Sequence, residues 1–219
     1  MIINKLTSIE NEIQLKINEF GISNSKPKII AVSKTFSISH ILPLINHGHL
    51  HFGENKVQDA LEKWLSIKTD HKKLKLHMVG KLQTNKVKHA VELFDYIHSL
   101  DNLKLANKLS SEQQKRGKNL KIFIQVNIGG ESQKSGISPE KAEEFYKICV
   151  NDLNLNIVGL MCLPPNDNSS ESFFSKMQTL KKTINLKELS MGMSGDYIEA
   201  IKHGATYVRI GTKIFGDRT

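Results

Sequence analysis

Residues 186–216 read LKELSMGMSGDYIEAIKHGATYVRIGTKIFG, and this stretch decides the fold. A β-type run (187–191) ends in a glycine-bearing turn, a helical pattern follows (195–203), and a second β-type run (206–210) ends in another glycine turn. Apolar spacing thus passes from period two to three-and-four and back, which marks a βαβ unit with parallel strands. The same alternation runs upstream to residue 28. Further β-type runs lie at 28–33, 49–53, 75–79, 95–99, 120–127 and 156–161, with helical patterns at 55–67, 83–92, 102–116, 139–151 and 170–183. Pro139 directly after Ser138 is a helix start signal. An amphipathic helix at roughly 4–20 precedes the first strand and no helix is expected after the last. The N-terminal helix is therefore expected to cover the surface an eighth crossover helix would otherwise cover.

Eight strand–helix units in 219 residues predict an α/β protein folded as a single (β/α)8 TIM-type barrel over residues 1–219. A doubly wound open sheet is the alternative. No apolar run approaches the ~20 residues of a membrane helix, and no signal segment opens the chain, so a cytoplasmic protein without a membrane partner is expected. Cys149 and Cys162 have neither CxxC spacing nor a nearby histidine pattern, so the expectation is two reduced thiols and no metal site. The formal charge of +9 raises nucleic acid as a partner, but arginine occurs only at Arg116, Arg209 and Arg218. Lysines scattered over helix faces, with few aromatic residues among them, argue against it.

Active sites of such barrels lie at the carboxyl ends of the strands. The residues there form a coherent set: Lys34 after the first strand, Gly53-Glu54-Asn55 after the second, Gly80 after the third, and Asn127 with the GGESQKSG loop after the fifth. Ser194 and Gly195 follow the seventh; Arg209, Gly211 and Thr212 end the eighth. A lysine leaving a buried strand must be solvated, pair with an anion, or lose its charge as an imine. The loops after strands seven and eight are the usual phosphate cradle of this fold. Ser194 alone reads equally as a helix N-cap, Gly211 as a turn glycine, and Arg209 as half of a structural salt bridge. At the ring nitrogen of a pyridoxal cofactor, by contrast, an arginine donates to an unprotonated nitrogen and weakens the ring as an electron sink.

Taken in order, AVSKT (Lys34), FGENKVQDALEK (Asn55), HMVGKLQTNKVK (His77, Gly80), QVNIGGESQKSG (Asn127, Lys134), GLMCLPP and the 186–216 stretch resemble the YggS/PROSC family of pyridoxal phosphate homeostasis proteins over nearly the full length. The resemblance implies the fold of the N-terminal domain of alanine racemase and pyridoxal 5'-phosphate (PLP), the vitamin B6 cofactor, bound as a Schiff base on Lys34. It places Arg209 at the ring nitrogen, Ser194, Gly211 and Thr212 around the phosphate, Met161 against the ring, and Asn55 ordering the pocket near Lys34. It further implies a non-enzymatic role in intracellular PLP homeostasis, with apo PLP-dependent enzymes as candidate recipients. For Lys134 it implies assistance in transfer or transient phosphate binding, against the bland reading of a solvated loop lysine.

Three departures from the family pattern stand out: Phe36 replaces a common lysine, Leu76 the usual tryptophan, and Lys81 a common histidine. The alternative function is a low-activity PLP-dependent racemase, which needs an acid/base on the face opposite the lysine. With Thr219 the last residue of the sequence, no second domain is expected to bring one, and the same consideration leads to the expectation of a monomer. A barrel aldolase using Lys34 on a sugar phosphate is a further rival, supported by fold analogy alone.

Overall fold

The computed structural model describes residues 1–22, 26–131, 133–165 and 170–216. Strands β1 (Lys28–Val32), β2 (His51–Glu54), β3 (Lys75–Met78), β4 (Tyr96–Leu100), β5 (Lys121–Val126), β6 (Ile157–Cys162), β7 (Glu188–Ser190) and β8 (Tyr207–Ile210) are parallel and close in sequence order into a barrel. Closure is made by β8 against β1, with Ile30 beside Arg209 and Ala31 beside Ile210. The open-sheet alternative is thereby excluded.

Helices α1 (Ile2–Glu19), α2 (Ile38–Asn46), α3 (Val57–Asp70), α4 (Val87–Leu93), α5 (Leu103–Arg116), α6 (Ala142–Lys147), α7 (Ser170–Ile184), α8 (Tyr197–Lys202) and α9 (Thr212–Phe215) form the outer layer. Local chemistry sets their ends where caps are present. Asn102 Oδ1 accepts from Leu105 N–H at 2.8 Å to start α5, and Gly117, at φ 58°, stops it in the left-handed region.

Two corrections to the sequence reading follow. Helix α2 has no counterpart in it, because Pro43 interrupts a segment whose isoleucines at positions 38, 41 and 45 otherwise keep helical spacing. A helix does follow the last strand, although α9 is a single turn. Helix α1 packs against α2, α8 and α9 and buries Leu6, Ile9, Ile13 and Ile17, so it covers the seam beside that short helix. Tyr197 O–H donates to Glu12 Oε2 at 2.5 Å and ties α8 to it.

Strand alternation divides the interior. Outward residues such as Ala31, Phe52, Leu76 and Ile97 join the helices in one large apolar shell. Inward residues Ile30, Tyr96, Phe123, Met161 and Tyr207 fill the barrel itself. Among the described residues no helix is long and apolar enough to cross a membrane.

Ile13, fully buried on α1, tests the seam. Ile13→Ala is expected to lower unfolding free energy by roughly 2–5 kcal/mol in urea titration, through lost burial and a residual cavity.

Candidate functional site

The carboxyl ends of the strands surround a cavity of about 680 Å³. Lys34, Asn55, Ser194, Arg209, Gly211 and Thr212, expected from the sequence, all line it. Met161 does not. Alternation along β6 turns it inward, but its side chain is wholly buried in the barrel core against Ile30, Phe123 and Tyr207 rather than on the cavity wall. Lys34, Lys81, Lys134 and Arg209 give the wall its charge, and no carboxylate stands among its described residues. Such a wall attracts an anion.

Lys34 leaves β1 from a clamped neighbour. Ser33 N–H donates to Gly53 O at 2.9 Å, Ser33 Oγ donates to Glu54 Oε1 at 2.8 Å, and Lys63 Nζ donates to Ser33 O at 2.8 Å. Glu54 is fully buried and also accepts from Lys63 Nζ and Trp64 Nε1, both at 2.9 Å. Its Oε2 has no hydrogen-bond partner among the described residues. Opposite, Asn55 is pressed against Gly80: a Cβ on Gly80 would stand 2.3 Å from Asn55 O, so only glycine permits this approach.

Arg209 is 5% exposed and has neutral acceptors only. Nη1 donates to Ser190 Oγ and Nη2 to Cys162 O, each at 2.7 Å. Among the described residues no carboxylate pairs with it, which removes the salt-bridge reading. Burial lowers its pKa from the usual value, partly offset by Cys162 and Asp196. A guanidinium still stays charged at ordinary pH. Burial likewise pushes the adjoining Cys162 thiol up to about 12, so it is an unreactive core thiol.

Ser194 is not the cap of α8, which begins at Tyr197 behind Asp196. Asp196 Oδ1 instead accepts from Met193 N–H at 2.6 Å and shapes the turn, while Gly192 adopts φ 87°. Ser194 Oγ accepts from Lys213 N–H at 3.5 Å, joining the loops after β7 and β8. The backbone N–H groups of Ser194, Gly195, Gly211 and Thr212 donate to no acceptor among the described residues. Four amides at two adjoining loops make a nest for an oxyanion.

The loop after β5 forms another wall. Asn127 Nδ2 donates to Glu131 O at 2.8 Å, Gln125 Nε2 to Ser135 O at 3.0 Å, and Lys134 pairs with Glu131 at 2.5 Å. Lys134 is thus an ion-paired wall residue whose side chain is still one-third exposed. Gln125 was missed in the sequence, although its place two residues beyond inward-facing Phe123 marks it. Phe36 stacks on Phe215 with ring centroids 4.8 Å apart.

Residues 12–219 match the family model described as alanine racemase, N-terminal domain. The chain is 39% identical to the pyridoxal phosphate homeostasis protein of Haemophilus influenzae over 223 residues, covering 97% of this chain and 94% of that protein. It is 36% identical to the protein of the same name from Vibrio alginolyticus, covering 96% and 94%. Among solved structures it resembles PipY of Synechococcus elongatus PCC7942, solved with PLP bound, at a TM-score of 0.83 and 32% identity, covering 99% and 100%.

Removing the cation from Glu54 isolates a buried carboxylate. Lys63→Met is expected to cost roughly 3–5 kcal/mol of stability in urea titration, and the double change Lys63→Met with Glu54→Gln to regain part of it.

Proposed function

Because the chain belongs to the pyridoxal phosphate homeostasis protein family, with the alanine racemase N-terminal domain fold, we propose that its cavity holds PLP as a Schiff base on Lys34, in a carrier or regulatory role. The observation that carries this reading is the presence, on one cavity wall whose charged groups among the described residues are all cations, of strand-end Lys34 and a buried Arg209 that no carboxylate of those residues neutralises. Bound PLP supplies an aldehyde for imine chemistry and a ring that takes up electron density. The residues present fit its three functional ends. Lys34 offers an amine to the aldehyde. The amides of Ser194, Gly195, Gly211 and Thr212, which meet no acceptor among the described residues, suit the phosphate. Arg209 suits the ring nitrogen, where it donates and keeps a proton from settling. Asn55, fixed against Gly80, orders the wall beside Lys34, while Met161 supports the floor from the core.

The same residues argue against amino-acid turnover. Racemisation requires a second acid/base facing Lys34, and no tyrosine lines the cavity among the described residues. Tyr96 and Tyr207 lie in the barrel core, and Tyr197 is engaged with Glu12. Delivery of PLP to apo-enzymes in the cytoplasm, by a monomer whose cavity one chain supplies, completes the reading.

Purified protein is expected to be yellow, and borohydride followed by peptide mass mapping is expected to place the pyridoxyl label on Lys34; label chiefly on Lys134 contradicts the assignment. Pyridoxal, lacking phosphate, is expected to bind far more weakly than PLP, and equal affinity removes the amide cradle. Racemisation of alanine at ~1 per second or faster contradicts the non-enzymatic role.

A further inference from the structure

Three histidines occupy the barrel interior between Arg209 and its amino-terminal floor. They hold inward positions on successive strands: His51 on β2, His77 on β3 and His98 on β4. His98 Nδ1 lies 2.9 Å from Ser190 Oγ, His98 Nε2 lies 2.9 Å from His77 Nδ1, and His77 Nε2 lies 2.9 Å from His51 Nδ1. His77 and His98 are fully buried, whereas His51 is partly exposed at the floor. His77 stacks on Tyr96 and His98 on Phe123, at 4.2 and 4.3 Å between centroids, which fixes both ring planes. Branched apolar side chains ordinarily fill such a barrel. A polar row there is tolerable only when each donor meets an acceptor.

One end of the row sets the direction of all of it. Arg209 can only donate, so Ser190 Oγ accepts from Nη1. The Ser190 proton then has one acceptor within reach among the described residues, His98 Nδ1. His98 must therefore carry its proton on Nε2 and donate to His77 Nδ1. By the same logic His77 is protonated on Nε2 and donates to His51 Nδ1. The opposite direction would leave the buried Ser190 hydroxyl proton without an acceptor. Burial holds His77 and His98 well below the usual imidazole pKa, with the neighbouring imidazoles adding to this at His77 and Arg209 at His98. At His51 burial comes first, then His49, Lys28 and Lys75, against Asp95, for a value of about 4.

We infer that Ser190, His98, His77 and His51 form a positioning relay: a neutral hydrogen-bond chain of one direction whose acceptor end holds the Arg209 guanidinium toward the cavity without neutralising it. A carboxylate in place of Ser190 would orient the guanidinium equally well but cancel the charge it presents to a ligand. The neutral chain orients it and leaves that charge available, each link polarising the next. What Arg209 donates to rests on the PLP reading above; the proton positions do not.

The first test is ¹⁵N NMR of the histidine-labelled, ligand-free full chain at neutral pH. All three imidazoles are expected as neutral Nε2–H tautomers; an Nδ1–H tautomer or an imidazolium at any of them overturns the relay. The second uses His77→Leu, a position off the cavity wall. PLP affinity is expected to fall roughly tenfold, the scale of one lost hydrogen bond, and the visible band to shift. His77→Gln, which keeps a donor and an acceptor, is expected to restore both. A folded His77→Leu with unchanged affinity and band overturns the relay. Should that variant fail to fold, or PLP not bind the native chain, the tautomers of the unaltered protein still decide it.

Discussion

A guanidinium taken out of water must find acceptors for its hydrogens, and at Arg209 the acceptors found are neutral. That constraint reaches through much of the barrel. It requires β6 to turn the carbonyl of Cys162 toward β8, and β7 to present a hydroxyl, at Ser190, where an apolar side chain would otherwise pack. It also draws the histidines of β2, β3 and β4 into the core, since the hydroxyl has its own proton to place. Barrel closure completes the arrangement. Pairing of β1 with β8 puts the strand carrying Arg209 beside the strand that delivers Lys34, so the two cations share a cavity although 174 positions separate them.

The two cations are secured differently. Arg209 is held from below by its acceptors, within the barrel wall. Lys34 lies past the last residue of β1, and order there comes from outside, where Glu54, Lys63 and Trp64 close on Ser33 beneath α3. That cluster is a buried ion pair, and such pairs specify geometry more dependably than they add stability. A rigid exit from β1 fixes where the lysine amine begins, and four amides without an acceptor among the described residues stand where the proposal puts an anion.

Much of this architecture was readable from the chain because two periodicities compete openly in it. All eight strand runs fall within two residues of the observed strands, since each holds alternating or continuous apolar residues. Helix α2 escaped because Pro43 breaks the pattern that marks the others. The cavity wall was readable where strand ends alone decide it, as for Lys34, Arg209 and the glycine loops, all of which line the cavity. Met161, which the resemblance puts near the ring, has its side chain in the core with Ile30 and Phe123, a placement that strand alternation alone does not reveal. The histidine row was overlooked for a different reason. Each histidine reads singly as a half-buried strand residue, and only the alternation of three adjacent strands puts them in one line.

The account stands most directly on a crystal structure of the full chain grown with PLP. It predicts continuous density from Lys34 Nζ to the cofactor, a ring nitrogen within hydrogen-bond distance of Arg209, and phosphate oxygens on the amides of Ser194, Gly195, Gly211 and Thr212. Density joined to another lysine, or a ring turned away from Arg209 toward a carboxylate, would contradict it.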